Sequence, residues 1–317
     1  MKEMILDNRG KPGHARGQRG RTAALLGGLV LVLTLPGTGL RAQVPDIFKS
    51  VLLSWPEPAQ EQIVVGAGSL TGPVWTPWPE PIYKRFGQMC MAVPTTASQQ
   101  FFKTVPGRQF VDDFSNAWGP FTNRNSWMDY WLKAGEEWFV TNGVLRVNVI
   151  LSTNYGFLLL PIGTNAAATH RDFYTSVDIL SWTTTSTNWC CFTITGRGYF
   201  RSPTYGSGYI GGLLMNDDTG MGVIRLFIYD GSEEVWGPTF DTGAIPPPYR
   251  LEFSGVGNPT CQLRLRVLNL TTKELIREQT LVRTTFTQGF PAFWISFPDG
   301  DGGFTITADN FFLSGTK

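Results

Sequence analysis

The closing stretch of the chain, Phe304 to Lys317, alternates apolar and polar side chains with the two-residue period of a half-buried strand, and a single Asp309-Asn310 pair interrupts the rhythm. The same period recurs upstream, for example over 172–180, 249–255 and 262–270. About a dozen such segments follow Phe110, and most end in Gly, Pro, Asn or Asp. Only Lys273–Gln279 has much helical propensity, and β-type sequence flanks it on both sides. A chain patterned this way buries one face of each strand, which points to packed antiparallel sheets.

Composition agrees. Charged residues make up 16% of the 317, against a usual ~25%, while aromatics reach 13% and there are 36 glycines and 21 prolines. Few charges with many aromatics and turn formers favour sheets and loops over amphipathic helices.

The N-terminus has the build of an export signal. Lys2, Arg9, Lys11, Arg16, Arg19 and Arg21 form a basic region, and an apolar run from Thr22 to Leu35 follows it. Pro36-Gly37-Thr38-Gly39 ends that run, and small residues at Gly39 or Ala42 suit cleavage. A spanning helix needs roughly 20 apolar residues, so residues 1–42 read as a cleaved signal peptide rather than an anchor. The expected location is secreted, periplasmic or at the cell surface, with no membrane-spanning segment after cleavage. The whole chain has 26 Lys/Arg and 25 Asp/Glu; residues 1–42 hold seven of the former and two of the latter, so the remainder is net −4. No Lys/Arg cluster survives in it, which leaves nucleic acid without electrostatic support as a partner.

Two β-rich units are legible. In residues 44–106, short apolar strands at Val51–Trp55, Gln62–Ala67, Met89–Val93 and Gln100–Val105 are separated by Pro/Gly turns at the spacing of a small sandwich. Ser54-Trp55-Pro56, Gly87-Gln88 and Phe101-Phe102 resemble the strand and turn motifs of the fibronectin type III-like module of secreted bacterial proteins. Pro106-Gly107-Arg108 reads as the seam.

Residues 110–317 form the larger unit. Its opening Phe110-Val-Asp-Asp-Phe114, its Asn142-Gly143 turn, its Tyr209-Ile-Gly-Gly212 strand and its Asp309–Gly315 ending resemble the concanavalin A-like lectin/glucanase (laminin G-like) β-sandwich superfamily. The resemblance implies an all-β chain, a small Ig/fibronectin-like sandwich followed by a larger concanavalin A-like jelly-roll sandwich. It also implies a structural Ca²⁺ between the first and last strands of the large unit. The matching carboxylates are Asp112 or Asp113 on the first and Asp309 on the last; the expected ligands are Asp113 and Asp309, a partial set for an ion that takes 6–8 oxygens.

Catalytic constellations are scarce. Beyond the signal the only histidine is His170, no G-x-S-x-G elbow accompanies it, and multi-histidine metal sites are excluded. Glucan-cleaving members of the resembled superfamily carry an E-x-D-x-x-E strand that places two carboxylates on one face, and this chain lacks it. Glu136-Glu137 and Glu233-Glu234 are adjacent and diverge on a strand, while Asp299 and Asp301 fall in a Gly-rich turn. A different pair brought together by the fold stays open.

Cysteines 90, 190, 191 and 261 fit no zinc spacing. Cys190 and Cys191 face opposite sides of a strand, so at most one can meet Cys261; that bridge is expected, with buried thiols as the alternative.

Exposed aromatics bind sugars by stacking on the ring face. The richest cluster holds Trp127, Tyr130 and Trp131 among Asn and Asp residues, and a second holds Trp182 and Trp189 beside a Thr/Ser tract. These five are the candidate carbohydrate-binding residues; filling or covering the core is their alternative use. The expected function is noncatalytic recognition of a glycan or cell-surface polymer. The alternatives are a carbohydrate-processing enzyme of glycoside hydrolase type and a structural or adhesive surface protein.

Overall fold

The alternating segments fold as strands in the computed structural model, which describes residues 4–7, 50–58, 60–85, 87–94, 99–112, 114, 119–120, 128–131, 136–150, 156–159, 169–184, 189–202, 205–216, 222–296 and 303–316. In chain order they are β1 (Met4–Asp7), β2 (Ser50–Pro56), β3 (Gln62–Ala67), β4 (Thr76–Pro77), β5 (Tyr83–Arg85), β6 (Gln88–Pro94) and β7 (Gln99–Asp112). Next come β8 (Gly119–Pro120), β9 (Met128–Trp131), β10 (Glu136–Thr141), β11 (Val144–Ile150), β12 (Gly156–Leu159), β13 (Phe173–Thr184), β14 (Cys190–Ser202) and β15 (Tyr205–Met215). The rest are β16 (Val223–Tyr229), β17 (Glu234–Asp241), β18 (Tyr249–Val256), β19 (Cys261–Asn269), β20 (Leu275–Arg283), β21 (Phe290–Ser296) and β22 (Gly303–Thr316). The fold is all-β and built as sheet sandwiches. The helix-prone Lys273–Gln279 stretch opens β20, because pairing with β19 outweighs a weak local preference.

Among the described residues, a twelve-stranded sheet runs β20-β19-β18-β13-β22-β11-β10-β8, with β7, β3, β4 and β1 joined off that path. A seven-stranded sheet runs β17-β16-β15-β14-β21-β12-β9. Alternate residues of both inner faces meet in one core: Val177 and Ile179 on β13, Leu251 and Phe253 on β18, Phe192 and Ile194 on β14, Leu226 and Ile228 on β16. Burying each such side chain stabilises the fold by about 1.5–3 kcal/mol.

The Asp309-Asn310 interruption is a bulge. Phe304, Ile306 and Ala308 face the core before it, and Phe311 and Leu313 face it afterwards, so the alternation resumes one residue out of step. Asn310 takes φ 50°, a left-handed conformation that Asn tolerates, and its N–H donates to Asp309 Oδ1 at 2.7 Å. At this point β22 changes partner on one side: residues up to Ala308 pair with β11, and those from Phe311 pair with β7. The first and last strands of the large unit are therefore neighbours, as the resemblance implied.

A three-stranded sheet, β2-β6-β5, packs Leu53, Met91 and Val93 against Val64 and Phe102 in a second, smaller core. The segment expected to be a seam is continuous strand. Residues up to Pro106 of β7 pair with β3, and residues from Gly107 pair with β22. Glycine is needed here, since a Cβ on Gly107 would lie 2.6 Å from Gly315 O and 2.7 Å from Ile63 Cγ1.

One end of the large sandwich is braced by Arg197, which is fully buried. Its guanidinium donates to the carbonyls of Arg171, Phe286 and Gly257, and Asp172 Oδ1 lies 3.7 Å from its Nη2. The expected disulfide is corrected here: all four cysteines are buried thiols. Cys261 lies beside Arg197, whereas Cys190 sits seven residues along β14 from it, roughly 23 Å at about 3.3 Å per residue. The two sulfurs belong to opposite ends of the core. Cys191 faces the other side of β14.

Candidate functional site

The outward face of the seven-stranded sheet is the part of the molecule that combines aromatic residues with a defined geometry. Phe192 and Ile194 point into the core, so Thr193 lies on the opposite face of β14, where it is itself fully buried, and the registers carry that position straight across the sheet. Thr193 pairs with Gly212, Gly212 with Phe227, and Phe227 with Trp236 at the β17 edge. In the other direction Thr193 pairs with Trp294, Trp294 with Phe157, and Phe157 with Trp131 at the β9 edge. Trp131 and Trp236 thus end one transverse row six strand spacings long, roughly 29 Å at about 4.8 Å each. Only the strand positions of Trp131, Phe157 and Trp294 are described.

Gly212 sets the shape of the row at its described end. A Cβ there would lie 2.5 Å from Thr193 Cγ2 and 2.7 Å from Phe227 Cε1, so the missing side chain lets the Phe227 ring lie down over the sheet. Phe227 is 5% exposed as a result, and Trp236, its ring centroid 5.6 Å away and tilted by 49°, is 45% exposed. The Arg225 guanidinium sits 5.7 Å from the Trp236 ring centroid, a cation–π distance. The result is a partly exposed indole beside a buried aromatic ring, with a guanidinium over its own ring. Burial raises the pKa of Glu234, two residues before Trp236 on the same strand.

The structure distributes the sequence-derived candidates unevenly. Trp127 lies outside the described residues, while Tyr130 and Trp131 are on β9, the far edge strand of this sheet. Trp189 immediately precedes β14 and is 36% exposed. Trp182 belongs to the other sheet and packs on the core beside Phe304, centroids 6.2 Å apart. Trp236 and Phe227 were not among the sequence candidates. The paired glycines Gly211-Gly212 in an apolar strand were the available signal, since a strand glycine marks a close approach.

Asp113 lies outside the described residues. Asp309 stands opposite Asp178, which is 1% exposed. Arg250 donates to Asp178 from Nε at 2.7 Å and from Nη2 at 2.9 Å, and Asn310 Nδ2 donates at 3.0 Å, so an arginine and an amide neutralise that carboxylate. Among the described residues no group of three or more His, Cys, Asp or Glu side chains converges. The described donors therefore fall short of a Ca²⁺ shell.

Carboxylates for hydrolysis fare no better in this region. Asp178 and Glu252 share the outward face of the twelve-stranded sheet, but Glu252 pairs with Arg266 at 3.2 Å and takes a hydrogen bond from the Tyr174 hydroxyl. Asp230 caps the β16–β17 turn. Burial alone would raise its pKa, but hydrogen bonds from Ser232, Arg283 and the Glu233 backbone outweigh that and hold it well below the usual carboxylate range. His170 is buried at 1% exposure, its backbone bridged to Gly289.

No protein-family model matches the chain, and no curated protein matches it. Solved structures do. The CBM2 module of Lactobacillus casei BL23 phage J-1 evolved Dit aligns at TM-score 0.38 and 16% identity, over 67% of this chain and 97% of the module. A laminarinase from Rhodothermus marinus aligns at TM-score 0.44 and 10% identity, over 66% of this chain and 98% of that one. The exoplasmic/lumenal domain of VIP36, in a Ca²⁺-bound form, aligns at TM-score 0.41 and 12% identity, over 66% and 90%. None of them lends a residue role to this chain.

Proposed function

We propose that this is a secreted or surface-held protein that recognises a glycan or cell-surface polymer without catalysis, through the outward face of its seven-stranded sheet. The observation that carries the reading is Trp236, 45% exposed, with Phe227 packed beside it from the neighbouring strand and the Arg225 guanidinium over its ring. A sugar ring stacks on such an indole while a guanidinium donates to its oxygens. Trp189 adds a second exposed indole, and Trp131 holds a position in the same cross-strand register on β9.

The same reading takes residues 1–42 as a leader, 44–106 as a fibronectin type III-like module and 110–317 as the recognition unit. Calcium enters it only through Asp113 and Asp309, on the family resemblance. A structural ion there would raise the melting temperature, and Asp309→Ala would abolish the rise.

A glycan array probed with residues 43–317, with and without EDTA, tests ligand class and metal dependence together. Binding to a defined group of glycans that Trp236→Ala abolishes is the expected result. No binding to any glycan by the folded protein would overturn the proposal.

A further inference from the structure

Between β4 and β5 the chain lies as a strap against the twelve-stranded sheet. It is fastened at three backbone points. Trp78 N donates to Val64 O at 2.9 Å, Ile82 N donates to Gln109 Oε1 at 2.8 Å, and Gln109 Nε2 donates to Glu80 O at 3.3 Å. Gln109 belongs to the half of β7 that pairs with β22, so one side chain clips the strap to the large sandwich. Trp78 and Ile82 pack on the small core, leaving Glu80 between the clips.

Glu80 faces a crowded set of charges. Arg250 and Glu252 come from β18, Lys273 from the β19–β20 turn, and Tyr83 follows on β5. Arg250 is already held by both oxygens of Asp178, and Glu252 by Arg266 and Tyr174. The strongest cation near Glu80 is therefore committed elsewhere, and Lys273 is exposed.

We infer that the strap is acid-tightened: taking up a proton on Glu80 strengthens the seating of residues 78–83 on the twelve-stranded sheet. A half-buried carboxylate with its best counter-ion committed to another group is more costly to seat charged than neutral. Burial is the largest influence on Glu80 and raises its pKa; Arg250 and Lys273 pull the other way, Glu252 adds to the rise, and the net direction is up. A group whose pKa is higher when seated takes up protons on seating. Its contribution is therefore fully present in acid and is lost as pH rises through the seated value.

Hydrogen exchange of peptides spanning 78–83 in the mature protein, corrected for intrinsic rates, tests this at about pH 4 and about pH 7.5. The expected result is protection several-fold higher at the acidic pH. Glu80→Gln should keep the high protection at both. Gln109→Leu should lower protection at both pH values while leaving their ratio unchanged, separating the clip from the charge. Protection independent of pH in the unmutated protein, or a pH ratio that persists in Glu80→Gln, would overturn the inference.

Discussion

Asp178 and Arg250 stand directly opposite each other on β13 and β18 and share two hydrogen bonds, of 2.7 and 2.9 Å. The carboxylate is 1% exposed, and the Asn310 amide at the β22 bulge also donates to it. The pair ties the bulge to the sheet. Removing one partner of a buried pair is far more damaging than replacing both, so Arg250→Met should destabilise by about 3–5 kcal/mol. The double change Arg250→Met with Asp178→Leu should recover a substantial part of that. Urea midpoints of the three proteins check it; equal loss in the single and double variants would contradict it.

Trp236→Ala should weaken glycan binding tenfold or more, about 1.4 kcal/mol, because it deletes the exposed stacking face. Its effect on stability should stay within about 1 kcal/mol, since the side chain is nearly half exposed and not part of the core. Affinity electrophoresis beside a thermal melt separates the two effects.

Gly212→Val should act on the same surface from below. The new side chain meets Thr193 and the Phe227 ring at distances no real contact shows. Overpacking of this kind costs about 1–3 kcal/mol. Tilting Phe227 out of place should also shift the Trp236 fluorescence and lower glycan affinity, although residue 212 itself offers a ligand nothing.

The thiols give a direct check on the sandwich interior. Burial pushes Cys261 up to about 11 and Cys190 upward as well, so neither is an active nucleophile near neutral pH. All four cysteines should resist a thiol reagent in the native protein and react after unfolding in urea. A native protein that still shows only two reactive thiols when unfolded without reductant would mean a disulfide.

The strands that were easiest to read are those with one face in the core. β18, with burial alternating at every residue, and β22, whose Asp309-Asn310 break is a bulge, were visible because burial imposes the period. Besides the short β1, β4, β5 and β8, two longer strands escaped the reading, and both are sheet edges. β17 is mostly half-buried or exposed and carries Gly237-Pro238, and β20 has one buried residue, Gln279, in a run with helical propensity. An edge strand answers to fewer neighbours, so its sequence is freer and its pattern weaker. Trp236 was missed for the same reason. The row that contains it draws Thr193, Gly212, Phe227 and Trp236 from four strands, and cross-strand register is not written in local spacing.

A final consequence concerns load. β7 runs without a break from the smaller core to the larger one, hydrogen-bonded to β3 along one half and to β22 along the other. A force pulling the two cores apart therefore acts along a strand held laterally by backbone bonds, which must fail together in shear, rather than extending a slack tether. If the protein holds a surface polymer at Trp236, tension on that polymer must cross the sandwich core before it meets β22 and β7, because β17 belongs to the other sheet.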